Sequence, residues 1–331
     1  MLRVTHFLRH PRPHLFSMER LYAAVRGALP QDIEARVWSC EHPSKGVLPR
    51  LRDAMAAWKE QGAVNHVTGD AHYLTFFLGA SRTVLTVHDT ESLERSSGIK
   101  RFLLWLFWFR LPVWRSAKIV VISEATRAAL HRVISVDDGK LVTIPNPLTS
   151  QMDRKSQPFN AVRPRILHVG TKANKNLDRH VAALAGLDIE LVILGRMTAR
   201  QHEVLDGSGL EWSNPADLDE AELAGLYAGC DLLLFASTVE GFGLPILEAQ
   251  SAGIPVITSN CSSMPEVAGD GAILVDPSSE QDIRSAVMKV IEEPDLRAQL
   301  VRDGDINVSR YSPEHIAGLY AELYRRVAAS S

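Results

Sequence analysis

The chain has 331 residues, of which 46% are apolar and 23% charged, and its formal net charge is −3. That length suits two domains of ordinary size, and that balance excludes a disordered or fibrous chain. The slight acidic excess argues against a uniformly basic surface, so no nucleic-acid partner is expected.

The three cysteines, Cys40, Cys230 and Cys261, are scattered and show no C-x-x-C spacing, so neither a disulfide framework nor a zinc site is expected. Two of them adjoin apolar stretches and read as small buried hydrophobes. The opening MLRVTHFLRHPRPH has no apolar run of signal-peptide length, and no stretch of ~20 apolar residues follows. The expectation is a cytoplasmic protein, in which the Asn260-Cys261-Ser262 and Asn307-Val308-Ser309 sequons carry no meaning.

In chain order, apolar runs predict strands over 3–7, 35–39, 64–67, 83–88, 118–122, 141–144, 166–170, 189–195, 231–236, 255–258 and 272–275. Helical patterns lie between them, for example over 123–133, 177–187, 220–228 and 280–293. Most of the strands are almost wholly apolar, as strands buried on both faces of a parallel sheet are. Their alternation with helices predicts an α/β fold. The polar, proline-rich PNPLTSQMDRKSQPFNAVRPR over 145–165 reads as a linker that divides the chain nearly in half. Two doubly wound domains follow, with ligands beyond the carboxyl ends of the strands.

Several polar residues fall at strand ends. His6, His10 and His14 cluster near the first strand, but spacing alone makes no metal site, and structural or surface roles are the plainer reading. Asn65-His66-Val-Thr68-Gly69-Asp70 and Thr86-Val87-His88-Asp89 each close a strand, either as caps or as groups facing a ligand. Residues 100–115 combine Phe102, Trp105, Phe107, Trp108, Phe109 and Trp114 with Arg101, Arg110 and Arg115. They read either as a core helix on the first sheet or as an interfacial segment whose arginines meet anionic headgroups.

The richest string is Ala236-Ser-Thr-Val-Glu240-Gly-Phe-Gly243-Leu-Pro245-Ile-Leu-Glu248-Ala-Gln. Gly241 and Gly243 allow close backbone approach to a ligand. Pro245 suits the first turn of a helix, since its missing N–H would be unpaired there. The free N–H groups of such a helix start favour an anion. The plainer alternative is a strand-to-helix connection with no ligand.

This string resembles the E-x7-E signature of the retaining glycosyltransferases of family 4, which have the GT-B fold. Gly253-Ile-Pro255-Val-Ile-Thr258, Met264-Pro-Glu266, Gly271-Ala-Ile-Leu-Val-Asp276-Pro277 and Val169-Gly170 with Lys175-Asn176-Leu177 extend the resemblance over 166–277. Before Pro147 it is looser.

The resemblance implies two facing Rossmann-like domains with the active site in the cleft between them. The acceptor domain would span 1–150 and the nucleotide-sugar domain 165–312, with a helix over about 313–331 crossing back onto the first. It implies a mannosyltransferase-like enzyme of cell-surface polysaccharide or lipid-linked glycan assembly. Such an enzyme moves a sugar with retention from a nucleotide-diphosphate sugar to a glycan or lipid-linked acceptor, with no metal and no cofactor. Lys172 and Lys175, beside Gly170 and Thr171, would hold the diphosphate with the backbone of Gly241, Phe242, Gly243 and Leu244. Glu248 would accept from the ribose hydroxyls and Glu240 from the sugar hydroxyls, as an ionised carboxylate can. His88 would stand against the donor sugar, oriented by Asp89, with Asp70 on the acceptor side. Family members commonly carry Gly-Arg where this chain has Gly170-Thr171-Lys172, so a point charge would replace a fork. Membrane contact through 100–115 would place the enzyme at the inner face of the cytoplasmic membrane.

Other readings weigh less. A nucleotide-sugar epimerase shares the architecture but lacks E-x7-E, and an inactive sugar-nucleotide scaffold would not need both glutamates and the basic loop intact. Asp303-Gly-Asp305 spells D-x-D but follows no apolar strand and reads as a loop. Neither G-x-G-x-x-G nor G-x4-G-K-[ST] occurs.

Overall fold

The computed structural model describes residues 1–11 and 17–331, so His14 lies outside the described residues. The chain divides into two compact units, Met1–Thr149 with Tyr311–Ser331, and Ser150–Arg310.

In the first unit, β1 (Leu2–Leu8), β2 (Ile33–Ser39), β3 (Val64–Val67), β4 (Thr83–Val87), β5 (Lys118–Val121) and β6 (Leu141–Thr143) form one sheet. Their order is β2-β1-β3-β4-β5-β6, and every neighbouring pair is parallel. Parallel neighbours need crossovers, and helices on both faces supply them. Every residue of β3 and β4 is accordingly buried. On one face Leu85, Ile119 and Val121 pack with Leu74, Phe109 and Leu130. On the other, Val4, Val64 and Val120 pack with Ile316, Leu323 and Val327 of the terminal helix Pro313–Ala329.

A polar knot sits inside that second face. His66 Nδ1 lies 2.7 Å from the Tyr324 hydroxyl and its Nε2 lies 2.8 Å from Thr86 Oγ1. His6 Nε2 meets the same Tyr324 hydroxyl at 2.9 Å. Burial lowers the pKa of His6 to about 3 and pushes His66 down in the same sense, so both rings are neutral. His6 and His66 therefore join the terminal helix to the sheet and do not reach an acceptor. Asn65 is likewise buried, bonded to Gln61 and the Gly62 amide. His10 lies against the Cys40 carbonyl at 3.2 Å. Cys40 and Cys230 are buried, as the apolar runs beside them predict.

The aromatic stripe is divided between core and surface. The helix Gly98–Leu104 passes into a π-helical turn, Trp105–Arg110, then into Leu111–Arg115. The wide turn sends Phe109 into the core but leaves Ile99, Phe102, Phe107 and Trp114 exposed. Arg101 and Arg110 are exposed. Arg115, which the interfacial reading turns to headgroups, instead donates from Nε and Nη2 to the carbonyls of Thr75 and Leu78 at 3.2 and 3.1 Å.

In the second unit, β7 (Arg165–Val169), β8 (Glu190–Leu194), β9 (Glu211–Ser213), β10 (Leu232–Phe235), β11 (Val256–Ser259) and β12 (Ile273–Val275) form a second parallel sheet. Its order is β12-β11-β10-β7-β8-β9. The order reverses between β7 and β10, the switch point at which doubly wound sheets open a crevice. Strand β9 is absent from the predicted set because three residues on a sheet edge carry too little pattern to read.

Two further expectations change here. Residues 150–164 are not a free linker but are strapped to the second unit. The Lys155 amide donates to the Ala252 carbonyl at 2.8 Å and its ammonium lies 3.2 Å from the buried Asp231. Asp231 also accepts from the amides of Asn160 and Arg165. The D-x-D triplet is not in a loop but inside the helix Pro294–Ser309. Leu300, Gly304 and Asn307 form its buried stripe at helical spacing. The helix packs closely here: a Cβ at Gly271 would stand 2.6 Å from Gly304 Cα, and one at Gly304 would stand 3.0 Å from Gln250 Cγ. Asp305 pairs with Arg154.

Candidate active site

Two turns spring from the switch point of the second unit. After β7, Gly170 takes φ +93°, and the chain makes the short turn Ala173–Lys175. The aliphatic stem of Lys175 passes directly over Gly170, where a Cβ would stand 2.9 Å from Lys175 Cε. Glycine therefore makes room for the lysine as well as allowing the left-handed backbone. After β10 runs the string that carries both glutamates. Gly243 takes φ +113° just before the helix Leu244–Ala252, whose first turn contains Pro245, and Gly253 at φ +72° ends it.

These turns are joined to each other. Lys175 Nζ lies 2.7 Å from Glu240 Oε1 and 4.4 Å from the centre of the Phe235 ring. Asn174 donates to the same Glu240 oxygen at 3.2 Å and to the Val239 carbonyl at 3.0 Å. The Thr238 amide returns a bond to the Asn174 carbonyl at 2.8 Å. Ser262 accepts from the Glu240 amide at 3.1 Å, while Ser263 donates to the Phe242 carbonyl at 2.6 Å. The Glu240 carboxylate is thus held from two sides by a cation and an amide, with both members of the ion pair mostly buried.

Glu248 lies one turn into the helix. It accepts from the Tyr227 hydroxyl at 2.6 Å and from Ser150 Oγ at 3.1 Å. Burial raises its pKa, while Tyr227, Ser150 and the nearby Lys175 charge oppose that rise. Below the turns, His168 and His180 meet through their Nδ1 atoms at 2.9 Å. His168 Nε2 contacts the Gly170 carbonyl at 2.8 Å and His180 Nε2 the Ala236 carbonyl at 3.3 Å. Burial lowers His168 to about 4 and also lowers His180.

The structure therefore brings Lys175, Glu240, Gly170 and the Gly241–Leu244 turn together, with Glu248 in the helix that follows. Lys172 behaves differently. Its exposed side chain lines a separate hollow with Arg179 and Arg200, and no ion pair holds it among the described residues. Thr171 is committed to the Arg196 carbonyl at 2.6 Å.

In the first unit, Asp70, His88 and Asp89 line one polar chamber of about 250 Å³ with His72. It opens beyond β3 and β4, beside that sheet's own reversal between β1 and β3. His88 is oriented by the Thr68 carbonyl, to which its Nε2 donates at 2.9 Å, so Nδ1 is left as an acceptor. Burial lowers its pKa. Asp89 does not orient it: its carboxylate takes the Glu91 amide at 3.1 Å, a cap two residues on. Arg9 holds Asp70 at 3.2 Å and Glu19 at the same distance.

Sequence reasoning missed Asn174, Tyr227, Ser150, Ser262, Ser263 and Arg9. Asn174 adjoins Lys175 and could have been suspected. The others belong to no motif, and only the fold carries them to the site. Among the described residues no group of three or more His, Cys, Asp or Glu is placed to hold a metal ion.

A doubly wound sheet of this strand order opens its ligand crevice at the switch point, where the lysine–carboxylate pair stands and the helix of the second glutamate begins. The first half of the chain matches the model Glycosyltransferase Family 4 over residues 18–151, and the second matches Glycosyl transferases group 1 over residues 150–305. The chain belongs to this glycosyltransferase family, and its two parallel sheets are those of the GT-B fold.

The O-antigen chain mannosyltransferase B of Escherichia coli is 35% identical over 106 residues, covering 32% of this chain and 28% of that protein. The O-antigen chain mannosyltransferase RfbU of Salmonella typhimurium is 25% identical over 225 residues, covering 64% and 61%. The matches thus span less than two thirds of either relative. The crystal structure of Anabaena HepE in complex with UDP and glucose superposes with a TM-score of 0.75 at 16% identity, over 98% of this chain and 100% of that one. At that identity the likeness concerns the fold.

Proposed function

We propose that the protein transfers a sugar with retention from a nucleoside-diphosphate sugar to an acceptor hydroxyl, as part of polysaccharide or lipid-linked glycan assembly. The observation that carries this reading is the Lys175–Glu240 pair beside a glycine turn, with Glu248 in the following helix. The names of the two mannosyltransferase relatives, and the UDP and glucose bound to HepE, support it.

Lys175 exchanges the Glu240 carboxylate for the donor diphosphate, and Glu240 then accepts from hydroxyls of the sugar. Glu248, already preset by Tyr227 and Ser150, accepts from the ribose. As the bond from C1 to the diphosphate oxygen breaks, the acceptor oxygen bonds to C1 on the same face. The acceptor proton passes to the departing phosphate, so neither glutamate acts as acid or base. The growing negative charge falls on Lys175, on Lys172 once its free side chain turns inward, and on N–H groups of the turn. These cations take the role a divalent ion would otherwise have. In the first unit, His88 Nδ1 positions the acceptor hydroxyl, beside Asp70.

The enzyme works at the inner face of the cytoplasmic membrane, with Phe102, Phe107 and Trp114 towards the lipid and Arg101 and Arg110 towards headgroups. Among the described residues no helix is long and apolar enough to cross a membrane.

The test is a thermal-shift screen against UDP, GDP, ADP and TDP and their sugars, followed by product analysis with the donor that binds. Glu240→Ala and Glu248→Ala are each expected to lower transfer at least ~100-fold, the cost of losing charge-assisted contacts in the transition state. Full activity in both refutes the site. Turnover that disappears with a chelator refutes the metal-independent scheme.

A further inference from the structure

Next to His88, but outside the lining of the polar chamber, stands a group of buried rings that the transfer chemistry leaves unused. Alternation along β3 and β4 places His66 with Val64, and Thr86 with Val84, on the sheet face that the terminal helix covers. Three tyrosines lie over that row. Tyr22 comes from the helix Ser17–Gly27, and Tyr320 and Tyr324 stand one turn apart on the terminal helix. None of the three is more than 2% exposed.

Tyr22 is their hub. Its hydroxyl donates to Thr86 Oγ1 at 3.0 Å. That uses its only proton, so the Tyr320 hydroxyl, 3.3 Å away, donates to it. Its ring meets the His88 imidazole edge to face, with centres 6.3 Å apart and planes at 88°. The same ring meets His6, His66 and Tyr320 at 5.9, 5.3 and 6.1 Å. Among the described residues His88 makes one hydrogen bond, to the Thr68 carbonyl. One bond alone leaves an imidazole free to swing about χ2, a broad torsion. A fixed aromatic ring packed against it in a favoured geometry removes that freedom. Tyr22 is fixed in this way, because one hydroxyl partner lies on β4 two residues before His88 and the other lies on the terminal helix.

We propose that Tyr22 is the positioning residue of His88, holding the imidazole so that Nδ1 meets the acceptor oxygen, and that Thr86 and Tyr320 hold Tyr22 in turn. Neither Tyr22 nor the terminal helix lines the chamber, so both act on an acceptor through His88. This deepens the glycosyltransferase reading, on which it rests for the role of His88.

The test begins without any ligand. Two-bond proton–nitrogen spectra of the full, 15N-labelled protein at about pH 7.5 report which nitrogen of each imidazole carries the proton, and His88→Gln assigns the His88 signals by their loss. Wild type is expected to show sharp His88 signals with the proton on Nε2. Tyr22→Leu, which removes the ring, is expected to give exchange-averaged signals from both tautomers. Tyr22→Phe and Tyr320→Phe keep every ring and loosen only the anchor, so a smaller broadening is expected. Sharp wild-type signals in a folded Tyr22→Leu overturn the proposal. If Tyr22→Leu does not fold, sharp signals in both phenylalanine variants overturn it instead. Turnover then reads the consequence, with the donor that thermal shift selects and water as the acceptor. Tyr22→Leu is expected to lower kcat about 10- to 100-fold with the donor KM within about twofold, and Tyr22→Phe to recover most of the loss. In a His88→Gln background, Tyr22→Leu is expected to cost less than about threefold more, since a residue acting through His88 has nothing left to position. An equal fold-loss in both backgrounds marks Tyr22 as a packing residue and overturns the proposal. Wild type that turns over no donor refutes the glycosyltransferase reading, while the imidazole spectra still decide what holds His88.

Discussion

Replacing Tyr227 by Phe removes one oxygen and little else. Tyr227 is wholly buried on the helix Glu220–Ala228, and its hydroxyl donates to Glu248 at 2.6 Å. The remaining donor, Ser150 Oγ, is longer at 3.1 Å. A hydrogen bond to a charged group contributes about 1.5–3 kcal/mol, and 1.4 kcal/mol is about one pKa unit. Burial already holds the pKa of Glu248 above the ordinary carboxylate value. Losing Tyr227 removes a donor to the carboxylate and pushes it further up. A protonated Glu248 has lost acceptor capacity for a ribose diol. Nucleotide affinity should therefore fall about 10- to 100-fold near neutral pH, and fall further at pH 6 than at pH 8. Calorimetric titration of the nucleoside diphosphate selected by thermal shift, at both pH values, reads this out. A lower Tm with unchanged nucleotide affinity would show Tyr227 to be a packing residue only. An equal loss at both pH values would refute the argument from Glu248 ionisation.

Stability should fall with acid in a defined window. His6 and His168 have folded pKa values of about 3 and about 4, below their ordinary 6.5. The unfolded chain therefore binds their protons first, and their contribution is complete above about pH 6.5 and lost progressively below it. At pH 5 each costs about 2 kcal/mol, which urea unfolding at pH 7 and 5 measures, and His6→Phe should remove its share of the difference. Gly170→Ala should lower both stability and transfer, since it places a Cβ at φ +93° against Lys175. The positive φ alone costs about 1–2 kcal/mol, and transfer undiminished in a folded variant would separate Lys175 from the reaction. Lys175→Met should leave Glu240 without its cation and cut nucleotide-diphosphate affinity about 10- to 100-fold, with a smaller effect on the free nucleoside. Equal losses for nucleoside and diphosphate would contradict a phosphate contact.

The sequence alone determined the layering and the main recognition string. Strands such as Leu232–Phe235 are apolar at every position because both sheet faces are covered, and that pattern is local enough to read. The Gly243 and Pro245 signals also act within a few residues, so the start of the glutamate helix was legible from its own atoms. Only the tertiary structure decided what the glutamates touch. Lys175 and Glu240 are 65 positions apart and meet because the sheet reverses between β7 and β10. Tyr227 and Ser150 reach Glu248 from a preceding helix and from a segment that composition alone makes look like a linker. The D-x-D triplet became helix because Gly304 and Asn307 pack on Gly271, Gln250 and Val267, partners remote in the chain. His88 turned to Thr68 and not to its neighbour Asp89, since a fixed carbonyl across the sheet competes better than a side chain already capping its own turn. Short-range periodicity reports burial, whereas hydrogen-bond partners depend on which strand ends the crossovers bring side by side.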